Sequence, residues 1–291
     1  MQRPRRPAAL ALVVAAVLAL ASCASSGGST PGSSGTTGSA SLHLVKPGQL
    51  TIATGSPAYE PWFADGRPES GQGFESAVAY AVAAKLGFTA AQVHWMNVPF
   101  NSSFAPGAKN FDFDINEISI TPERRQAVDF SSGYYDVAQA VVALRSSRIA
   151  HVTTLAGLKN AKLGAAIGTT SLTAINKQVK PAAQPAVFND TNEAETALEN
   201  GPIDGIVVDL PTAFKLTATE IENSVIIGQF PSTGEPEQFG LLFEKGNPLV
   251  RNVNAALAEL TASGELRRIT EQWLSTTAGA PVLKTDGARH P

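Results

Sequence analysis

Lys162-Leu-Gly-Ala-Ala-Ile-Gly-Thr-Thr-Ser171 decides the fold: a short apolar run, a glycine turn, then hydroxyls opening a helix from Ser171 to Val179. A run of this length closed by turn residues reads as a buried strand, and a strand feeding a helix is half of a βαβ unit. The pairing recurs downstream. Ala186–Phe188 precedes a helix at Thr191–Leu198 that Asn200-Gly201 stops, Ile203–Val208 precedes one at Pro211–Ala218, and Ser224–Gln229 is a further strand. Upstream, Gln49–Thr54 is a strand running into Gly55-Ser-Pro57. Glu75–Leu86 is a helix with Val78, Val82 and Leu86 on one stripe and Gly87 as its cap. Val93–Val98 and Phe111–Ile115 are strands, a helix starts at Thr121-Pro122, and Val137–Leu144 is one long apolar strand. Phe239–Glu244 is the last strand. Pro248–Leu260, with Leu249, Val253, Leu257 and Leu260 on one face, and Gly264–Leu274 close the chain as helices. Two such series predict two α/β lobes, each a mixed, mainly parallel sheet flanked by helices.

The chain ends differ in kind. Met1–Arg6 is basic and Ala8–Ala21 is apolar, about fourteen residues, too short for a ~20-residue span but suited to a secretory leader. The leader runs into Leu20-Ala21-Ser22-Cys23, which resembles the lipidation box of bacterial lipoproteins, and Cys23 is the single cysteine of the chain. Three acyl chains on it would give stable anchoring. Residues 24–41 are Gly, Ser, Thr, Pro and Ala without charge, a flexible linker. The tail from Gly279 to Pro291 carries no hydrophobic period and is expected to fray. Without residues 1–22 the chain loses Arg3, Arg5 and Arg6, and its net charge moves from −3 to −6. An acidic body lacks the basic footprint of a nucleic-acid binder.

Ligands of open α/β sheets sit beyond the strand ends, where helix N-termini offer free N–H groups. Three places qualify. Around Ser119, Thr121 is a good N-cap and Pro122 suits the first position, which puts Arg124 in the third; a cation there makes sense as a carboxylate clamp, or it is an exposed arginine paired with Glu123 or Asp129. Arg125 reads as surface. Gly168-Thr169-Thr170-Ser171 is a second anion-binding element or a plain cap. Asp209 ends a buried strand and can accept from an ammonium, or it too is a cap. An arginine clamp, two helix starts and one acid together describe a site for an amino-acid zwitterion. Other chemistry is thin. His43, His94, His151 and His290 show no metal spacing, and neither a nucleophile elbow nor a phosphate loop is present, so no cofactor or metal is expected.

The run from Phe111 to Ser131, FDFDINEISITPERRQAVDFS, resembles the signature of family 3 extracellular solute-binding proteins, the polar amino-acid receptors of ABC importers. Gly73-Phe-Glu75, Gly168–Thr170, Asp204–Asp209, Phe239–Gly246 and Gly264…Trp273 follow in the expected order. The resemblance implies residues 48–137 and 239–278 as one lobe and 138–238 as the other, after a leader (1–22) and lipidated linker (23–47) and before a tail (279–291). The lobes are joined by two hinge strands that close over the ligand. By motif, Ser119, Arg124 and Thr170 (beside Thr169) would hold the α-carboxylate, Asp209 the α-ammonium, and Tyr59 and Phe100 the side chain. Where basic-amino-acid binders carry an acid after the first strand, this chain has Gly55-Ser56, which speaks against a lysine or arginine ligand. Glu117 replaces a residue that is often small or amide-bearing, and it could take an ammonium or a polar side chain or pair with a neighbour. The implied protein is an extracytoplasmic, lipid-anchored monomer partnered by a permease. The alternative is a dehydratase on the same fold, of the cyclohexadienyl or arogenate kind, with Glu117 as its acid.

Overall fold

The computed structural model describes residues 42–274 and 279–285; the leader, Cys23, residues 24–41 and the last six residues lie outside the described residues. The path opens with β1 (Leu50–Thr54), α1 (Phe74–Lys85), β2 (Val93–Asn97), α2 (Phe100–Ser103), β3 (Phe113–Asp114), the single turn α3 (Arg124–Ala127) and β4 (Val128–Val137). It continues through β5 (Gln139–Leu144), β6 (Leu163–Ala166), α4 (Thr170–Ala174), β7 (Ala186–Phe188), α5 (Thr191–Glu199), β8 (Gly205–Asp209), α6 (Leu210–Lys215) and β9 (Ser224–Gln229). It then returns as β10 (Glu237–Glu244), α7 (Leu249–Ala262) and α8 (Glu265–Leu274).

Two five-stranded sheets result, ordered β2-β1-β3-β10-β4 and β7-β6-β8-β5-β9. In the first, β1 pairs parallel with β2 and β3, while β10 runs antiparallel to β3 and β4. In the second, β6 pairs parallel with β7 and β8, and β5 runs antiparallel to β8 and β9. The antiparallel share exceeds what the βαβ pattern suggested, because the strands that change lobe enter against the local direction. The chain crosses at Ala138 and again between Gln229 and Glu237. Val137 faces Glu237 in the first sheet, and two residues on Gln139 faces Asp209 in the second. Val137–Leu144 is therefore not one strand but the end of one and the whole of another.

The periodic residues land in the core. Val78 and Val82 of α1 and Leu249, Val253, Leu257 and Leu260 of α7 are buried. The first lobe packs aromatic rings edge to face, with Trp62 5.4 Å from Phe239 and Phe74 5.2 Å from Tyr135. The second lobe is aliphatic on both faces of its sheet, Val141, Leu163 and Val207 on one side, Val142, Ile206 and Leu198 on the other. Its helices loosen at their ends: Lys180 N donates to Ile175 O, five residues back, where the sequence predicted an unbroken helix to Val179.

The tail does not fray from 279 to 285. Gln229 N donates to Pro281 O at 2.8 Å, Leu283 N to Gln229 O at 2.9 Å, and Leu155 N to Lys284 O at 3.0 Å, so this segment is laid against β9. Leu283 is buried among Val141, Ile227 and Phe230. A Cβ at Gly228 would lie 2.8 Å from Pro281 O and 3.0 Å from Leu283, so the missing side chain there makes the seat. Burying one leucine contributes about 2 kcal/mol. A single anchor leaves no periodicity to read.

Candidate functional site

The carboxyl ends of β1, β2 and β3 face those of β6, β7 and β8 across a cavity of about 260 Å³. Its first-lobe wall includes Ser56, Tyr59, Phe100 and Glu117; its second-lobe wall includes Thr169, Thr170, Asp190, Asp209 and Thr212. Seven of the nine ligand-binding residues expected from sequence line this space; Ser119 and Arg124 sit behind its wall. The lobes touch around it. Trp62 Nε1 donates to Thr212 Oγ1 at 2.9 Å, Lys215 pairs with Glu60 at 2.5 Å, and Arg124 Nη2 donates to Gly168 O at 3.0 Å.

Arg124 is buried, with Nη1 donating to Ser119 O at 2.7 Å and the guanidinium 4.5 Å from the Phe104 ring centre and 5.4 Å from that of Phe100. Burial lowers its pKa to about 10 against the pull of Glu237, Asp209 and Glu123. It neither lies exposed nor pairs with Asp129, whose carboxylate is taken by Lys245 at 2.9 Å. Regular helix begins at Arg124 and not at Pro122, yet Thr121 Oγ1 still accepts from Arg124 N at 3.1 Å. The helix is cut to one turn because β4 starts at Val128, so the helix-dipole argument for Arg124 gives way to one from aromatic faces and carbonyls. Arg125 is exposed, as read.

Across the cleft, Thr169 is the N-cap of α4, accepting from Leu172 N at 3.2 Å after Gly168 at φ +77°. Thr170 Oγ1 lies 3.3 Å from Ser119 Oγ, bringing the two lobes' hydroxyls together. Asp209 stands at the N-cap position of α6 without capping it; its Oδ1 accepts from Gln139 Nε2 at 2.6 Å. Burial and the neighbouring Glu237 push its carboxyl well above the usual range.

Glu117 holds φ +53°, a left-handed backbone that suits glycine or asparagine better. Its N–H donates to Glu75 Oε1 at 2.7 Å, and its own Oε2 accepts from Thr212 Oγ1 at 3.5 Å. Burial, Asp209 and Glu75 raise its pKa well above the ordinary value. Tyr59 is pushed up by burial and by Asp190. Glu117, Asp190 and Asp209 give the cavity three acids, and among the described residues no lysine, arginine or histidine lines it. Among the described residues, none that the loop after β1 places on the cavity wall is an acid, whereas Glu117 follows β3 and Asp190 follows β7.

Sequence reasoning missed Gln139 and Glu237. Gln139 Oε1 accepts from Ser171 Oγ at 2.5 Å while its amide nitrogen meets Thr170, Asp209 and Glu237. Both residues sit at crossings between the sheets, and their proximity follows from register alone.

The buried acids carry a pH dependence. Glu75, held by the Tyr134 hydroxyl and Glu117 N–H, is pushed up to about 8 and Asp114 to about 7, both chiefly by burial. An acid with a folded pKa above its unfolded value of ~4 keeps its proton after the unfolded chain has released its own. Stability therefore falls as pH rises from about 4 to about 8. We expect a lower urea midpoint at about pH 8 than at about pH 5, with Glu75→Gln flattening the slope. A midpoint that climbs over this range would contradict the assignment.

The family model of the bacterial extracellular solute-binding proteins, family 3, matches residues 50–276. The chain is 31% identical to the glutamine-binding protein of an ABC transporter from Bacillus subtilis (strain 168), over 58% of this chain and 60% of that relative. It is 27% identical to ABC transporter arginine-binding protein 1 of Escherichia coli (strain K12), over 75% and 88%. An ancestral arginine-binding protein, solved bound to glutamine, superposes with a TM-score of 0.67 at 28% identity, covering 78% of this chain and 98% of that one.

Proposed function

The chain belongs to the bacterial extracellular solute-binding proteins, family 3, and from that premise we propose that it is a receptor that binds an amino acid between its lobes and delivers it to an ABC importer. What carries the reading is the meeting of Ser119 and Thr170 from opposite lobes at 3.3 Å, with Arg124 behind them and Asp209 one amide away. Hydroxyls and a guanidinium suit an α-carboxylate; an acid suits an α-ammonium. The relatives named above are themselves binding proteins. The ligand's side chain would extend towards Tyr59, Phe100, Ser56 and Glu117, which line the same cavity.

Thermal unfolding of the purified protein against the twenty amino acids at millimolar concentration tests the reading. A ligand at 100 times its dissociation constant adds about 2.7 kcal/mol and raises the midpoint by several degrees. A flat panel, together with turnover of prephenate or arogenate, would replace the receptor by an enzyme on the same fold. Cys23 would anchor the protein to the outer face of the cytoplasmic membrane, as a monomer serving a permease. Labelled palmitate should mark the wild type and not Cys23→Ala; equal labelling of both would remove the anchor from the proposal.

A further inference from the structure

Glu237 opens β10 at the second crossing, opposite Val137. Its Oε1 accepts from Ser119 Oγ at 2.5 Å and from Gln139 Nε2 at 3.2 Å, and its Oε2 from the same nitrogen at 3.4 Å. Both donors are buried, Ser119 at 1% exposure and Gln139 at 4%. Ser171 Oγ donates to Gln139 Oε1 at 2.5 Å, which fixes the amide with its NH₂ towards the acids. That NH₂ has two hydrogens and faces four acceptors: Thr170 Oγ1, Asp209 Oδ1 and both oxygens of Glu237. Arg124 stands nearby, and Glu237 is the foremost of the acids favouring its charge. Hydroxyl, amide and guanidinium form a donor set suited to a carboxylate, and the protein already places one of its own there.

We propose that Glu237 is an internal competitor for the carboxylate subsite: its side chain takes Ser119 Oγ and Gln139 Nε2, and a ligand's carboxylate must displace it to reach them. The proposal rests on the amino-acid reading above. Displacement passes Ser119 Oγ and the Gln139 hydrogen that faced Glu237 to the ligand, while Asp209 keeps its own bond from Gln139. It also moves a residue on the strand that joins the lobes, so the exchange is mechanically tied to the hinge. Removing the internal carboxylate then tightens binding.

The full chain, as wild type, Glu237→Gln and Glu237→Ala, is titrated calorimetrically with each of the twenty amino acids. Glu237→Ala is expected to bind at least one of them ten-fold or more tightly than wild type, or to bind one that wild type does not. Glu237→Gln, which keeps the shape and removes the charge, is expected to gain in the same direction and decides the matter if the alanine variant does not fold. Wild-type binding with unchanged or weaker affinity in the variants overturns the competitor and leaves the receptor reading standing. No binding by any of the three overturns both.

Discussion

Arg124→Ala is expected to abolish amino-acid binding: no calorimetric signal for a ligand that the wild type binds, with affinity lowered at least ~100-fold. The guanidinium lies close to where the two lobes' hydroxyls meet, and it already reaches across to Gly168 O. A hydrogen bond to a charged group contributes about 1.5–3 kcal/mol, so losing two costs roughly 3–6 kcal/mol, or two to four decades. Alanine also strips the Phe104 face of its partner, 4.5 Å away. Arg124→Lys separates the effects: it keeps a charge but not the planar fork, and should recover only part of the affinity. Wild-type affinity in Arg124→Ala would remove the clamp.

Gly73→Ala is expected to lower stability by on the order of 3 kcal/mol, and the thermal midpoint by roughly 6–12 °C. Gly73 precedes α1 at φ +94°, ψ 158°, a backbone reserved almost entirely for glycine. Its added Cβ would lie 2.4 Å from Trp62 O and 2.6 Å from Phe63 Cα, contacts that only a backbone shift can relieve. The damage spreads, because Phe74 N donates to Pro61 O and Glu75 N to Trp62 O just beyond it. A variant that unfolds at the wild-type temperature would show that this passage yields where the structure makes it rigid.

Much of the fold was legible because its elements obey local rules. The stripe Val78–Val82–Leu86 needed only the helical period, and Thr169 and Asp209 stand at strand ends, the first as a cap and the second on the cavity wall without capping its helix. The break at Ala138 was not legible. Apolar residues run through it unpunctuated, and it exists because Val137 and Gln139 find partners in different sheets. All of β4 before Val137 was missed for the opposite reason: Val128-Asp-Phe-Ser-Ser-Gly133 reads as polar and glycine-broken, although Gly133 is placed where the Gln238 side chain crosses at 2.7 Å from a would-be Cβ. Glu237 and Gln139 carry no motif. Their role comes from long-range pairing, which no window along the chain contains.

Trp62 belongs to the first lobe, is fully buried, and gives its indole N–H to Thr212 of the second. Separation of the lobes would break that bond and admit water to the ring, shifting its fluorescence to longer wavelength. Of the three tryptophans, Trp95 sits by Tyr80 and Trp273 on α8, both against the first lobe's core. The chain thus carries its own optical gauge, one that could follow the cleft in stopped flow without a dye.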